Sequence, residues 1–256
     1  MDRSWFPPLA ELISDQPAAD TANALADLIA LAVSHEGTCL IAFHAQRTPD
    51  VLHHTLEPAG VSHYLDRYLA GPYLLDPLFR LSQQTLKPGV CRYRDATPDR
   101  FRASEYYRQY CEQTHLTDEI DYLVDVAGGT TLALVVGRRK RRFSQVEVAR
   151  LHDMADLVHA AMRKVWDRRE NGSAARPDAE AVQLTRCFDN FGAGLLTDRE
   201  RQITQLLLQG HSTKSVAREL GIAPGTVMVH KRNLFSKLAI TSQYELFSRF
   251  IEELTH

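Results

Sequence analysis

Leu196-Thr197-Asp198-Arg199-Glu200-Arg201 and, a little further on, Ser212-Thr213-Lys214-Ser215-Val216-Ala217-Arg218-Glu219-Leu220-Gly221-Ile222-Ala223-Pro224-Gly225-Thr226-Val227 decide the reading of this chain. Thr197 and Glu200 stand three apart, the spacing of a capping box, so a helix is expected from about Asp198. Ile203, Leu206 and Leu207 supply its apolar stripe, and Gly210 stops it. Ser212 or Thr213 caps a second helix that buries Val216, Ala217 and Leu220. Gly221 falls where the chain must turn through positive φ. Pro224 then opens a third helix at the position where proline is tolerated. Two short helices, a glycine turn and a third helix make a helix-turn-helix.

At about 100° per residue, Val227, Leu234 and Leu238 share one side of the third helix and face its neighbours. Val229, Arg232 and Ser236 point the opposite way, flanked by Met228, Asn233 and Gly225. That outer face has the chemistry to enter a DNA major groove. An arginine there pairs with guanine in bidentate fashion, and a valine touches a thymine methyl. Lys214, His230, Lys231 and Lys237 suit phosphates, which fix register without reading sequence. Thr226, in the first turn, completes the candidate contacts.

Residues 195–256 resemble the C-terminal DNA-binding domain of LuxR-type regulators, also the output domain of many response regulators. The resemblance rests on Leu196-Thr197, Arg199-Glu200, Gly210, Ser212, Lys214, Ala217, Leu220-Gly221-Ile222, Gly225-Thr226-Val227, His230, Asn233 and Lys237-Leu238. It implies double-stranded DNA as partner, a palindromic site and a homodimer. Where the family usually has a lysine after Thr-Val, this chain has Met228, so Arg232 and Val229 carry more of the reading or the preferred site differs. A fourth helix near 242–254 presents Leu246, Phe247, Phe250 and Ile251, either as the family's dimer contact or as the closure of the domain's own core.

The 256 residues are 44% apolar and 24% charged with a formal net charge of −2, an ordinary globular balance for two domains. No uniformly basic nucleic-acid coat is present, so DNA affinity is expected to be moderate, salt-dependent and reliant on dimerisation. The start of the chain shows no signal-peptide pattern and no window suits a membrane span, which places the protein in the cytoplasm without a membrane partner. Cys39, Cys91, Cys111 and Cys187 form no Cys-x-x-Cys pair, and His35, His44, His53, His54 and His63 match no metal spacing; neither metal nor cofactor is expected. Arg138-Arg139-Lys140-Arg141-Arg142 reads as a solvated strand-to-helix turn, with an accessory phosphate contact as the alternative.

The polar stretch from Arg168 to Asp178 reads as a linker. The expected organisation is a ligand-sensing domain over 1–167, a linker over 168–181 and the helix-turn-helix domain over 182–256, entered through a short helix near 181–191. In the front part, a helix from Asp20 or Thr21 precedes strands at Thr38–His44 and Val51–Leu56. Glu119–Val126 and Thr130–Gly137 flank Ala127-Gly128-Gly129 as a hairpin. Ser144 and Glu147 open a single helix to about Asp167, and helical segments lie near 60–70, 76–86 and 103–114. The fold class is α+β: an N-terminal α/β/α sandwich with an antiparallel sheet, GAF- or PAS-like, followed by a C-terminal all-α four-helix domain.

Such a sandwich commonly encloses a small molecule. Tyr64, Tyr68, Tyr73, Phe79, Tyr93, Tyr106, Tyr107 and Tyr110 offer aromatic walls with hydroxyl handles. Tyr64-Leu65-Asp66-Arg67-Tyr68 and Asp76-Pro77 resemble the Trp-x-x-x-Tyr and Asp-Pro of LuxR-type autoinducer-binding domains. The spacing is one residue shorter, and Tyr64 stands where the family has tryptophan. The resemblance implies that Asp76 accepts a ligand N–H and Tyr68 bonds a ligand carbonyl; Asp76-Pro77 also has the form of an N-cap followed by an N1 proline. Tyr64, Tyr68, Asp76, Phe79, Tyr93, Tyr106 and Glu119 are the candidate ligand residues. Their acid-plus-aromatic chemistry favours an amine-bearing or other non-lactone metabolite. A ligand-responsive transcription factor is therefore expected, rather than a phosphorylation-controlled response regulator or an enzyme-derived domain with a regulatory tail. No receiver-type acidic pair and no nucleophile–base set are recognisable.

Overall fold

The computed structural model describes residues 3–56, 58–84, 89–169 and 178–255. The chain divides into two compact units, one formed by Met1–Val61, Leu81–Ala96 and Leu116–Pro177, the other by Ser62–Arg80, Thr97–His115 and Asp178–His256. The protein combines an α+β sheet-and-helix part with an all-helical helix-turn-helix part.

The first unit is built on a five-stranded antiparallel sheet in the order β2-β1-β5-β4-β3. Its strands are β1 (Gly37–His44), β2 (Asp50–His54), β3 (Gly89–Arg92), β4 (Asp118–Val126) and β5 (Thr130–Arg138). The hairpin read at Ala127-Gly128-Gly129 joins β4 to β5 with Val126 opposite Thr130. β1 then lies against β5 in continuous register, from Gly37 opposite Gly137 to His44 opposite Thr130. Every residue of β1 is buried, which fits its nearly unbroken apolar run. Four-residue β3, too short to carry an alternation, went unread in the sequence. It pairs with β4 from Gly89–Leu123 to Arg92–Ile120. Arg92 extends this edge by donating to Asp118 Oδ2 at 2.9 Å, and the same carboxylate oxygen takes the Phe143 N–H at 2.9 Å.

One face of this sheet carries the core. Leu40, Ile120, Tyr122, Val124, Leu132, Leu134 and Val136 meet Leu25, Leu28 and Ile29 of α2 (Ala18–Ala32) and Val158, Met162 and Val165 of α7 (Ala155–Arg168). Each such side chain contributes roughly 1.5–3 kcal/mol on leaving water. α1 (Phe6–Ile13), not anticipated, packs on α2. α2 starts at Ala18 and not at Asp20 or Thr21, because Thr21 turns its hydroxyl back to the Pro17 carbonyl at 3.0 Å instead of capping forward.

The helix expected from Ser144 to Asp167 is two helices, α6 (Gln145–Asp153) and α7, with Met154 between them. The cause lies in the sheet: Tyr122 donates its hydroxyl to the Leu151 carbonyl at 2.8 Å, the acceptor that an unbroken helix would offer to the Ala155 N–H. The basic run also differs from its reading. Arg139, Lys140, Arg141 and Arg142 are exposed, but Arg138 is buried. It stacks on Phe143 at 4.0 Å and donates to Ser34 O at 2.7 Å and to Glu147 at 2.9 Å. His44 is a buried structural histidine, bridging Thr130 Oγ1 (2.8 Å) and Asp50 (2.9 Å). Among the described residues no cysteine is in a disulfide, and burial pushes the Cys39 thiol up to about 12. Most of the expected linker, residues 170–177, lies outside the described residues. Among the described residues no helix is long and apolar enough to cross a membrane.

Glu147 closes the Ser144 capping box and binds Arg138 and Arg141. The Arg138 guanidinium above all holds its carboxyl well below the usual glutamate range, against the opposing effect of burial. The folded-state carboxyl is the stronger acid, so its stabilisation is complete above the ordinary glutamate range and drains away as pH falls below it. Glu147→Gln is expected to lower unfolding free energy at neutral pH by about 1–2 kcal/mol. The deficit should shrink on acidification; a constant deficit across a urea series from neutral to acid pH would refute this role.

Candidate nucleic-acid interface

The second unit contains α8 (Ala179–Asn190), α9 (Asp198–Leu208), α10 (Thr213–Leu220), α11 (Pro224–Lys237) and α12 (Gln243–Thr255). Local chemistry sets each boundary. Thr197 and Glu200 form the capping box reciprocally, with Glu200 N–H on Thr197 Oγ1 at 3.3 Å and Thr197 N–H on Glu200 Oε2 at 2.9 Å. Gly210 ends the next turn at φ +92°. Ser212, rather than Thr213, caps α10 by accepting the Ser215 N–H. Gly221 closes α10 at φ +64°, a left-handed conformation in which a side chain is strained. Ile203, Leu207, Leu208, Val216, Ala217, Val227, Leu234 and Leu238 are buried; Leu206 and Leu220 are half-buried. Leu246, Phe247 and Phe250 of α12 are also buried, and Phe250 meets the Phe188 and Phe191 rings edge-on. These residues close the unit's own core.

The outer face of α11 is open. Gly225, Thr226, Met228, Val229, Arg232, Asn233 and Ser236 are exposed, with Met228 at 60% and Val229 at 53%. Lys214 is exposed on α10, while His230 and Lys231 are half-buried at the flank. Lys231 lies over the Phe235 ring at 5.3 Å. Lys237 pairs with Glu200 at 2.6 Å, so its charge is engaged within the unit. One side of α11 thus seats the helix, and the other presents an arginine, a valine and a serine to solvent.

The same unit gathers most of the ligand candidates. α3 (Pro58–Leu69), a tight turn at Pro72–Leu75 and α4 (Pro77–Ser82) carry Tyr64, Tyr68, Tyr73, Asp76 and Phe79. In place of the helix expected near 103–114, the segment Thr97–His115 folds as 3₁₀ turns at Phe101–Ala103 and Glu112–Thr114 around a π-helical turn at Tyr107–Cys111. Ser104 sets this irregularity by donating to Phe101 O at 2.6 Å and accepting from Tyr107 N–H at 3.1 Å. It positions Tyr106 and Tyr110 as a stacked pair 5.6 Å apart.

Tyr68 stacks on Tyr64 (6.2 Å) and meets Tyr73 edge-on (6.3 Å), while Tyr73 meets Phe79 at 5.0 Å. Asp76, 8% exposed, accepts the Tyr68 hydroxyl on Oδ2 and the Leu78 N–H on Oδ1, each at 2.8 Å. It is therefore both the N-cap of α4 and a partner of the tyrosine. Burial, joined by the Asp76 charge, raises the Tyr68 and Tyr106 phenols well above their usual range, so both hydroxyls stay protonated. Tyr93 and Glu119 belong to the first unit and are half-buried there. Phe101, which no sequence motif marks, lies 5.9 Å from Tyr106 and 5.7 Å from Tyr107.

Comparison with known proteins places this geometry. Residues 194–250 match the profile described as "Bacterial regulatory proteins, luxR family". A putative HTH-type transcriptional regulator from the exeN 3' region of Aeromonas salmonicida is 34% identical over 186 residues, covering 70% of this chain and 94% of that protein. The monoamine regulon transcriptional regulator of Klebsiella aerogenes is 27% identical over 186 residues, 72% of this chain and 70% of its own length. Among solved structures, the VqsR LBD domain from Pseudomonas aeruginosa superposes with a TM-score of 0.57 at 24% identity, over 66% of this chain and 100% of that one. That last likeness shows shared fold.

The Tyr68–Asp76 bond is the polar centre of the aromatic cluster. Tyr68→Phe removes it without emptying the site and is expected to cost about 1–3 kcal/mol of stability. Equilibrium urea unfolding measures this, and an unchanged midpoint would rule the bond out.

Proposed function

The chain belongs to the LuxR family of bacterial helix-turn-helix transcriptional regulators, and from that membership we propose that it is a ligand-responsive regulator that binds a palindromic operator as a homodimer. The proposed division keeps a sensing part within 1–167 and a DNA-binding part within 182–256, joined over 168–181, in a protein that acts in the cytoplasm where its DNA lies. The exposed outer face of α11 carries this reading. Arg232 and Val229 read base edges, with Met228, Thr226 and Ser236 beside them. Lys214, His230, Lys231 and the Lys237 ammonium serve the phosphate backbone. Because Lys237 is paired with Glu200, a phosphate there must compete with that carboxylate for the ammonium.

The effector occupies the aromatic cluster of the second unit, with Tyr64, Tyr68, Asp76, Phe79 and Tyr106 as its contacts; Tyr93 and Glu119, in the first unit, are not counted in that site. We favour an amine-bearing molecule over a lactone. A carboxylate held among aromatic faces suits an ammonium group, which gains from charge pairing and from the ring quadrupoles together. Both donors named on Asp76 are neutral and can yield to a cation. The relative whose name refers to a monoamine regulon points the same way.

Two measurements test the reading. In a selected-duplex assay, Arg232→Ala should relax base preference at one or two positions, costing about 1–3 kcal/mol on the preferred site. Lys214→Ala should weaken all duplexes alike and reduce the salt slope by about 1. Equal losses on preferred and random DNA for both variants would refute the assignment. Calorimetry with aromatic amines and acyl lactones decides the ligand class: lactone binding without amine binding would overturn the amine proposal.

A further inference from the structure

The turn between α9 and α10 is held from outside the helix-turn-helix sequence. Asp99 accepts the Ser212 N–H on Oδ1 at 2.9 Å and the Ser212 hydroxyl on Oδ2. Arg100 donates its backbone N–H to the Gly210 carbonyl at 3.2 Å. Phe101 follows so closely that a Cβ on Gly210 would stand 2.9 Å from its Cα. Ala103, Ser104 and Glu105 then line a small groove with Leu207, Leu208, Leu246 and Phe247. These contacts lie in succession along one strip of chain within the second unit. The strip's far side is anchored, since Phe101 is 3% exposed and packs on Tyr106 and Tyr107.

The place has the chemistry of a phosphate contact. A helix-turn-helix lays its first helix across the DNA backbone, and helix-start N–H and hydroxyl groups hold phosphate oxygens there. Asp99 puts a carboxylate, an anion like phosphate, on such a pair of donors. A second polar group waits at the same turn. His211, 8% exposed, bonds Ser215 Oγ through Nδ1 at 2.8 Å, while its buried Nε2 has no hydrogen-bond partner.

We propose that Asp99–Ser104 is a removable clamp on the helix-turn-helix turn: Asp99 holds the Ser212 donors in place of a DNA phosphate, and full DNA affinity requires the strip to leave. This rests on the DNA-binding reading above. Because Phe101 belongs both to the clamp and to the aromatic cluster, a change in ring packing there reaches the turn directly.

The full-length protein tests it by two independent readouts with a random-sequence duplex at low salt. Asp99→Asn is expected to bind about tenfold more tightly than wild type in fluorescence anisotropy. In wild type, adding the duplex should speed hydrogen exchange at the Arg100 amide, which loses the Gly210 carbonyl. An unchanged or weaker affinity for Asp99→Asn overturns the clamp and leaves the DNA-binding reading intact. A tighter variant overturns it too if the wild-type complex keeps Arg100 protected, for then only a negative charge has been removed. No binding by either protein overturns the DNA-binding reading, and the clamp with it.

Discussion

Glu200 is the residue on which the helix-turn-helix depends. It is 3% exposed and receives three donors: Thr197 N–H at 2.9 Å, Thr197 Oγ1 at 3.0 Å and Lys237 Nζ at 2.6 Å. Burial alone would raise its pKa, but Lys237 and Thr197 overcome that and hold the carboxyl below its usual range. One carboxylate therefore starts α9 and pins the end of α11. The angle at which α11 offers Val229 and Arg232 to solvent follows from that tie together with the buried Val227, Leu234 and Leu238. A recognition helix reads bases only if its axis is fixed before DNA arrives, since bidentate contacts tolerate little misplacement.

The aromatic cluster obeys a different constraint. Tyr68, Tyr73, Tyr106 and Tyr110 are buried, Tyr64 and Phe79 half-buried, and the Asp76 carboxylate already holds a phenol and a backbone N–H without a ligand. A ligand must then offer more than the Tyr68 hydroxyl does, and a cation offers charge where the phenol offers only a dipole. This is the physical reason for preferring an ammonium group to a neutral amide or lactone at Asp76.

What could be read from the sequence was what is local. The Thr197–Glu200 and Ser144–Glu147 boxes, the Gly221 turn, the Pro224 start and the β4–β5 hairpin involve residues within a few positions of one another, and each formed as read. Several misses involve partners distant in sequence. Tyr122, 29 residues before Leu151, breaks the helix that periodicity alone would continue. Arg138 reads as solvated in a run of basic residues, yet Ser34, 104 residues earlier, and Phe143 take it inside. The Asp99–Ser212 contact spans 113 residues and has no local pattern at all. For Asp76 the sequence offered a ligand N–H acceptor or an N-cap; the fold shows the cap on the Leu78 N–H and adds the Tyr68 hydroxyl, a partner that no local pattern marks.

The membership of the second unit bears on regulation. Segments 62–80 and 97–115 lie far ahead of the helix-turn-helix in the chain but share its compact unit. The residues proposed to sense and those proposed to read are thus linked by direct packing, through Tyr106, Phe101, Gly210 and Ser212, within the second unit. Coupling of this kind needs only a modest energy, typically 1–3 kcal/mol or about 5- to 150-fold in affinity. Asp99 and Arg100 are exposed, so the few hydrogen bonds they make are in competition with water and fall in that range rather than above it. A clamp buried like Glu200 would hold DNA off permanently, and one without the Phe101 anchor would transmit nothing. An exposed grip on a buried lever has the strength that a reversible switch requires.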